Sequence, residues 1–420
     1  MRTIIVHPTD PQAEASSLTH ALTLAQADDV VLVQPGLYSP TRTGERLPLV
    51  IPNGVTVIGA ATESCCVDGG GQFAPSFNPI CTNLSVVTLS DHSSISNLTV
   101  SQGGGHGIAV PPGVSATIHH CIISQHGDHG IYLCGVAGAI VTHCEFFSNG
   151  RKRFEPSLPR GVGARQGHHI FAEARAGQRN HIIISDNVMR GCFADGLAFI
   201  CFFSEPEDVS FEALVQRNTI EDSERGGLLF AGSFGPPRNH LRLTVTDNTL
   251  RNNKQFGLSV IGAFPLGTGV PHETVVHAAV HRNTISGSPI GILAQGAVGE
   301  AQNNANHLTI THNQISDCGK SAIRLVGAIG VDGVATEGNS LAAVLAWNSC
   351  TGNVPAVVVQ GAGGVTTGRV INNSATVQFI GNESSASHEQ AFLVSDGLPE
   401  NRGEATLGSH AWARKEGNLL

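Results

Sequence analysis

Residues 125–133 read QHGDHGIYL. Two histidines flank Asp128, and the run then turns into an apolar strand carrying Tyr132. These residue types suit proton transfer. An imidazole gives and takes protons near neutral pH, and a neighbouring carboxylate fixes its tautomer and raises its basicity. The same corner returns along the chain. The residue before the glycine that opens an apolar run is His106, then His129. After a long insertion the register resumes with His168, and the next unit has Asp195. Further on, that column reads Gly226, Phe256, Pro289 or Ile290, and Ser321. Titratable side chains are therefore gathered in four successive units, with Glu173 beyond His169 on the same strand as a further acid or base. Strand stacking would bring these imidazoles to ~5 Å of one another. That spacing suits a shared proton. A metal site would need His106, His129 and His168 to converge, whereas stacked side chains point parallel, so no metal is expected.

A repeat must position these groups. From residue 95 onward an aliphatic residue, two variable ones, usually Asn, one variable residue and another aliphatic recur, as in VQRNTIEDSERGGLLF and VTDNTLRNNKQFGLSV. The Asn column holds Asn187, Asn218, Asn248, Asn283, Asn313, Asn348 and Asn373, with Leu98, Cys121 and Cys144 upstream. A period of about 23–35 residues with short strands of period-two alternation means a β-solenoid. Stacked amides then hydrogen-bond in a ladder inside a turn, so these asparagines are structural. His120, His143, Asp186, Arg217 and Asp247, one place earlier, are expected to face solvent.

Composition agrees with an all-β chain. Glycine reaches 50 of 420 residues and apolar residues 41%, enough for many tight turns around a sizeable core. A net charge of −9 argues against nucleic-acid partners. No apolar stretch approaches the ~18–20 residues of a membrane span. MRTIIVHPTD lacks the pattern of a secretory signal, and the ten cysteines form no zinc-finger pair. Free thiols and a cytoplasmic location are expected. No cofactor fingerprint occurs, and oligomeric state is not legible.

At this point the sequence resembles the right-handed parallel β-helix superfamily that includes pectate lyases. DDVVLVQPGLY followed by LPLVIPNGVTVIGA is similar to the first coils of such proteins. The resemblance implies a single β-helix of about ten coils over residues 30–383. Residues 1–29 would supply a strand and a capping helix, the helix read over 11–27. The polar segment 384–420 would be a cap or tail. Because this fold hosts lyases, hydrolases, epimerases and adhesins, it leaves function open.

Longer inserts after the glycine-opened strand would wall a groove on one side. The insert 151–166, RKRFEPSLPRGVGARQ, reads as a lid whose Arg151, Arg153 and Arg165 would meet an anionic substrate. Phe171 and Glu173 would line the same groove. The expected partner is thus a small molecule or oligosaccharide, with the arginines favouring an anionic one. One reading is lyase or epimerase chemistry on a uronate: a His or Tyr base takes the proton beside a carboxylate that arginines neutralise. Only two Trp and two Tyr, and no aspartate cluster for calcium, fit that reading poorly. The alternative is an intracellular isomerase or cyclase for a partly apolar metabolite. If the corner glycines face outward, Tyr132, Phe171, Leu229 and Leu293, then Ile200, Ile261 and Val326, would form an apolar groove floor. A non-catalytic β-helix would need no His column.

Overall fold

The computed structural model describes residues 1–71, 85–150, 167–175, 177, 179–201, 209–233, 238–264, 270–330, 334–353, 355–364, 369–385, 392–395 and 410–416. Short strands carry β-branched and aliphatic residues at alternate positions, so each has one apolar face to bury. The described strands pair in parallel, and after the first pair each lies beside the equivalent strand one coil away rather than its sequence neighbour. The chain is a parallel solenoid of about eleven turns, three strands to a coil.

It divides into two compact units, Met1–Glu173 with Gln178–Leu197, and Ala174–Gly177 with Ala198–Leu420. In the first unit one sheet runs through Thr56–Gly59, Ser93–Ser96, Ser115–His119, Gly138–Thr142 and His181–Ser185. Ile118, Val141 and Ile184 stack in register there and are buried. In the second unit the equivalent sheet runs from Ser210–Gln216 to His410–Glu416. The latter strand pairs with Ser374–Ile380, and Phe392–Ser395 pairs with Val357–Gly364. The segment beyond residue 383 therefore adds strands to two sheets.

The N-terminal helix is shorter than its periodicity suggests: it spans Leu18–Leu24, not 11–27. The preceding stretch holds Pro8 and Pro11 and bridges Ala15 to Val6, so it cannot wind. Ser17 caps the helix by accepting from the His20 amide, and Glu45 accepts from the amides of Leu18 and Thr19 at 2.9 and 2.7 Å. No helix among the described residues is long and apolar enough to cross a membrane. The nine described cysteines are unbridged. Burial pushes the thiols of Cys318 and Cys350 up to about 11 and about 12, so both stay protonated as packing groups.

The asparagine ladder is continuous in the second unit. The amide nitrogen of each side chain donates to the next side-chain oxygen: Asn218 to Asn248 (3.0 Å), Asn248 to Asn283 (3.0 Å), Asn283 to Asn313 (3.0 Å), Asn313 to Asn348 (2.9 Å) and Asn348 to Asn382 (2.9 Å). The ladder thus ends on Asn382. Asn373 belongs to a different column, where it accepts from Asn339, itself the acceptor for Asn304. In the first unit Cys121 and Cys144 do occupy the ladder position, and the Cys144 amide donates to Asn187. The residue before each rung, including His120, His143, Asp186, Arg217 and Asp247, takes a left-handed backbone conformation with φ of 50–60°. That geometry turns the chain and aims the amide inward. Asn283→Ala removes the acceptor of the buried Asn248 backbone N–H and one acceptor of its side-chain amide. It should lower stability by ~1–3 kcal/mol, read by denaturant unfolding, without altering ligand binding.

Candidate active site

Three consecutive strands, Ile108–Val110, Ile131–Cys134 and Ile170–Ala174, lie side by side. Ile108, Ile131 and Ile170 form one row, and Ala109, Tyr132 and Phe171 the next. Side chains alternate across a strand, so these rows occupy opposite faces. Tyr132 and Phe171 share their face with the imidazoles that precede each strand. The His106 and His129 rings stack 5.0 Å apart and 2° from parallel, and His129 and His168 stack at 5.3 Å. Phe171 lies flat on His129 at 4.7 Å, and Tyr132 tilts against His106 at 4.8 Å.

Asp128 sits between two of these rings. Its Oδ2 is 3.7 Å from His106 Nδ1 and its Oδ1 is 3.7 Å from His129 Nε2. The His168 amide donates to His129 Nδ1 at 3.4 Å. That bond assigns the His129 proton to Nε2, the nitrogen facing Asp128. One coil on, the Asp195 amide donates to His168 Nδ1 at 3.2 Å, and the Asp195 carboxylate lies 3.6 Å away. The Tyr132 hydroxyl donates to Glu173 Oε2 at 2.5 Å. Burial above all, and then the Glu173 charge, drives the Tyr132 phenol above its ordinary range. Tyr132 therefore stays protonated and acts as a donor rather than a base.

The fold thus brings His106, Asp128, His129, Tyr132, His168, Phe171, Glu173 and Asp195 into one cluster. Arg151, Arg153 and Arg165 lie outside the described residues. The cluster is buried rather than spread along an open groove: His129 is 1% exposed, while the Asp128 side chain is 28% exposed. Of the apolar row, Tyr132, Phe171, Leu229, Ile200 and Val326 are buried, whereas Leu293 and Ile261 are half-buried. The corner glycines face inward, not outward. A Cβ on Gly130 would lie 2.6 Å from the His169 carbonyl and 2.8 Å from the Asn149 amide. Elsewhere on the solenoid Lys254 donates to Glu224, and Arg324 donates to Gln360.

The sequence reading did not separate the two histidines of QHGDHGIYL. His126 belongs to a second ladder at the next turn. Its Nδ1 accepts from the Gly103 amide at 3.0 Å, and its Nε2 lies 3.0 Å from the Val100 carbonyl. Asn149 does the same one coil on, accepting from the His126 amide and donating to the Ile123 carbonyl. In the second unit Asn253 and Asn353 fill the same kind of position. The signal was present as these asparagines, which follow the first ladder by five residues in their coils. Burial holds His126 down to about 4 and His169 to about 3, so both are neutral structural groups.

His106, Asp128 and His129 offer ligand atoms that all lie within 4.8 Å of one another. The set differs from the three stacked histidines weighed from sequence. The carboxylate, rather than a third imidazole, closes it, and a small inward movement would let it hold a divalent cation.

Two family profiles match the chain. One, described as right handed beta helix region, takes in residues 80–277 and so the whole cluster. The other, a family of unknown function (DUF1565), takes in residues 9–142. The fold is also similar to that of a mannuronic acid specific polysaccharide family 6 lyase from human gut microbiota. Identity is 12%, coverage 95% of this chain and 92% of that one, and the TM-score 0.53. Residues 80–277 thus match the right-handed β-helix profile, and the chain has the parallel β-helix fold. Other β-helices of lower overlap include PfbA, a surface adhesin of Streptococcus pneumoniae. There the identity is 11%, the coverage 88% and 89%, and the TM-score 0.47. The pectate lyase Pel9A matches at 14% identity, 74% and 78% coverage and a TM-score of 0.46. No curated relative matches.

Proposed function

We propose that this β-helix is an acid–base enzyme acting on an acidic carbohydrate, by elimination or epimerisation beside a uronate carboxylate. The observation that carries the reading is the Asp128 carboxylate held between His106 and His129, 3.7 Å from each, and itself reaching solvent. Asp128 is the member placed to meet substrate. The His129 Nε2 proton faces it, and the His106 ring flanks its other oxygen, so a proton taken at Asp128 has two imidazoles to share it. Tyr132, protonated and held by Glu173, is a donor next to the same rings.

The substrate class is supported by the lyase of mannuronic acid polysaccharide that shares the fold, and by the arginines of the 151–166 insert. The unbridged cysteines support a reducing compartment. The test is a panel of polygalacturonate, polymannuronate and polyguluronate, followed by ultraviolet absorbance of unsaturated ends and by NMR for inversion at C5. The reading expects one of these products. Finding only hydrolysed, saturated ends, or no product from any of them, would remove it.

A further inference from the structure

The outer face of the sheet from His240–Thr246 to His410–Glu416, within the second unit, carries a trough of about 600 Å³. Its shape follows from the register. One outward row reads Arg242, His277, His307, Ala342, Thr376 and Trp412, strand by strand. The parallel row two residues on includes the small Ala279 and ends on Arg414. Ala342 and Ala279 lie low between long neighbours, so a hollow opens between the basic end at Arg242 and the aromatic end at Trp412. Six strands separated by ~4.8 Å give it a length of ~24 Å.

The lining has a definite chemistry. Trp412 is 53% exposed, a large flat apolar face left in water. Arg242 and Arg414 place planar guanidinium groups near the two ends, on a chain whose net charge is −9. His277 and His307 stack at 4.9 Å, and Thr309, Thr376 and Gln378 add hydroxyl and amide groups. Burial and the neighbouring His307 and Arg242 hold His277 below its ordinary range, which leaves it a neutral donor and acceptor. An aromatic platform, spaced hydroxyl-binding groups and separated guanidinium groups match a chain of sugar rings bearing carboxylates. They match a nucleic acid poorly, since the face lacks a continuous run of cations.

We propose that this trough is a second binding site, for an acidic oligosaccharide of several sugar residues, separate from the histidine–aspartate cluster. It needs no turnover, so it stands or falls independently of the proposed reaction. The chain has two tryptophans, and Trp347→Phe leaves Trp412 as the reporter. The probe is a galacturonate tetrasaccharide titrated into the full-length Trp347→Phe protein, with its methyl-esterified form as the neutral counterpart. The expected result is a saturable change in Trp412 emission, unaltered when His129→Gln is added. Affinity should fall about tenfold or more with Arg242→Ala plus Arg414→Ala, and by a similar factor for the ester. Circular dichroism confirms that the variants fold. No saturable change would overturn the proposal, as would one that survives loss of both arginines or is equal for the ester.

Discussion

His129→Gln lowers kcat on the acidic carbohydrate by about 10²–10⁴-fold, the range positioned proton transfer contributes, with its thermal transition close to that of the wild type. Glutamine is the informative choice. His129 is 1% exposed and packed between Phe171 and the neighbouring imidazoles, so alanine would open a cavity and confuse catalysis with folding. A glutamine amide can still donate toward Asp128 Oδ1 but cannot accept and release a proton. KM should move much less than kcat, because the ring is buried and Asp128 is the exposed group. His120→Asn is the control. His120 stacks on His143 at 4.8 Å in a superficially similar pair, but it sits on the turn before the ladder. Asparagine tolerates its left-handed conformation, and activity should hardly change.

Acid unfolding should begin well above the carboxylate range. Folded His126 binds its proton only near pH 4 and His169 only near pH 3, whereas both imidazoles titrate at about 6.5 once unfolded. Between those values the unfolded chain holds more protons, so stability rises with pH through the window. It is complete above about 6.5 and is lost as pH falls toward 4. His126 alone accounts for about 3 kcal/mol of that loss. His126→Asn supplies the donor and acceptor that Asn149 uses one coil on, without a titrating group. Its acid midpoint, followed by circular dichroism, should move to lower pH while activity persists at neutral pH. An unchanged midpoint would show that His126 is not the acid-sensitive rung.

The repeat was legible because each coil solves the same two problems with the same residues. An asparagine satisfies turn amides, and alternate aliphatic side chains fill the interior. The first ladder could be followed rung by rung up to its last step, where Asn373 and Asn382 both fit the spacing and only the hydrogen bonds to Asn339 and Asn348 separate them. That the candidate imidazoles stand together was legible for a similar reason, since one column of the repeat carries them. The interior of that corner was not. His126 and His129 stand three residues apart in one short motif, yet one is a ladder rung and the other stacks on Phe171. Which is which depends on Gly103, Val100 and Asn149 from neighbouring coils. Burial of the cluster was equally invisible, because covering a side chain is a property of long-range packing and not of the coil that bears it. The protonation of Tyr132 was invisible for the same reason: desolvation and Glu173, 41 residues away, keep its proton on.

The central claim is that Asp128, between two imidazoles, carries the proton transfer. The most direct measurement is the rate of product formation by Asp128→Asn on whichever polyuronate the wild type converts, beside a thermal melt of both proteins. The substitution keeps the side chain's size and its place between His106 and His129 while removing the carboxylate. The account predicts a loss of about 10²-fold or more in kcat with the melt unchanged. Turnover equal to that of the wild type in the folded variant would contradict it.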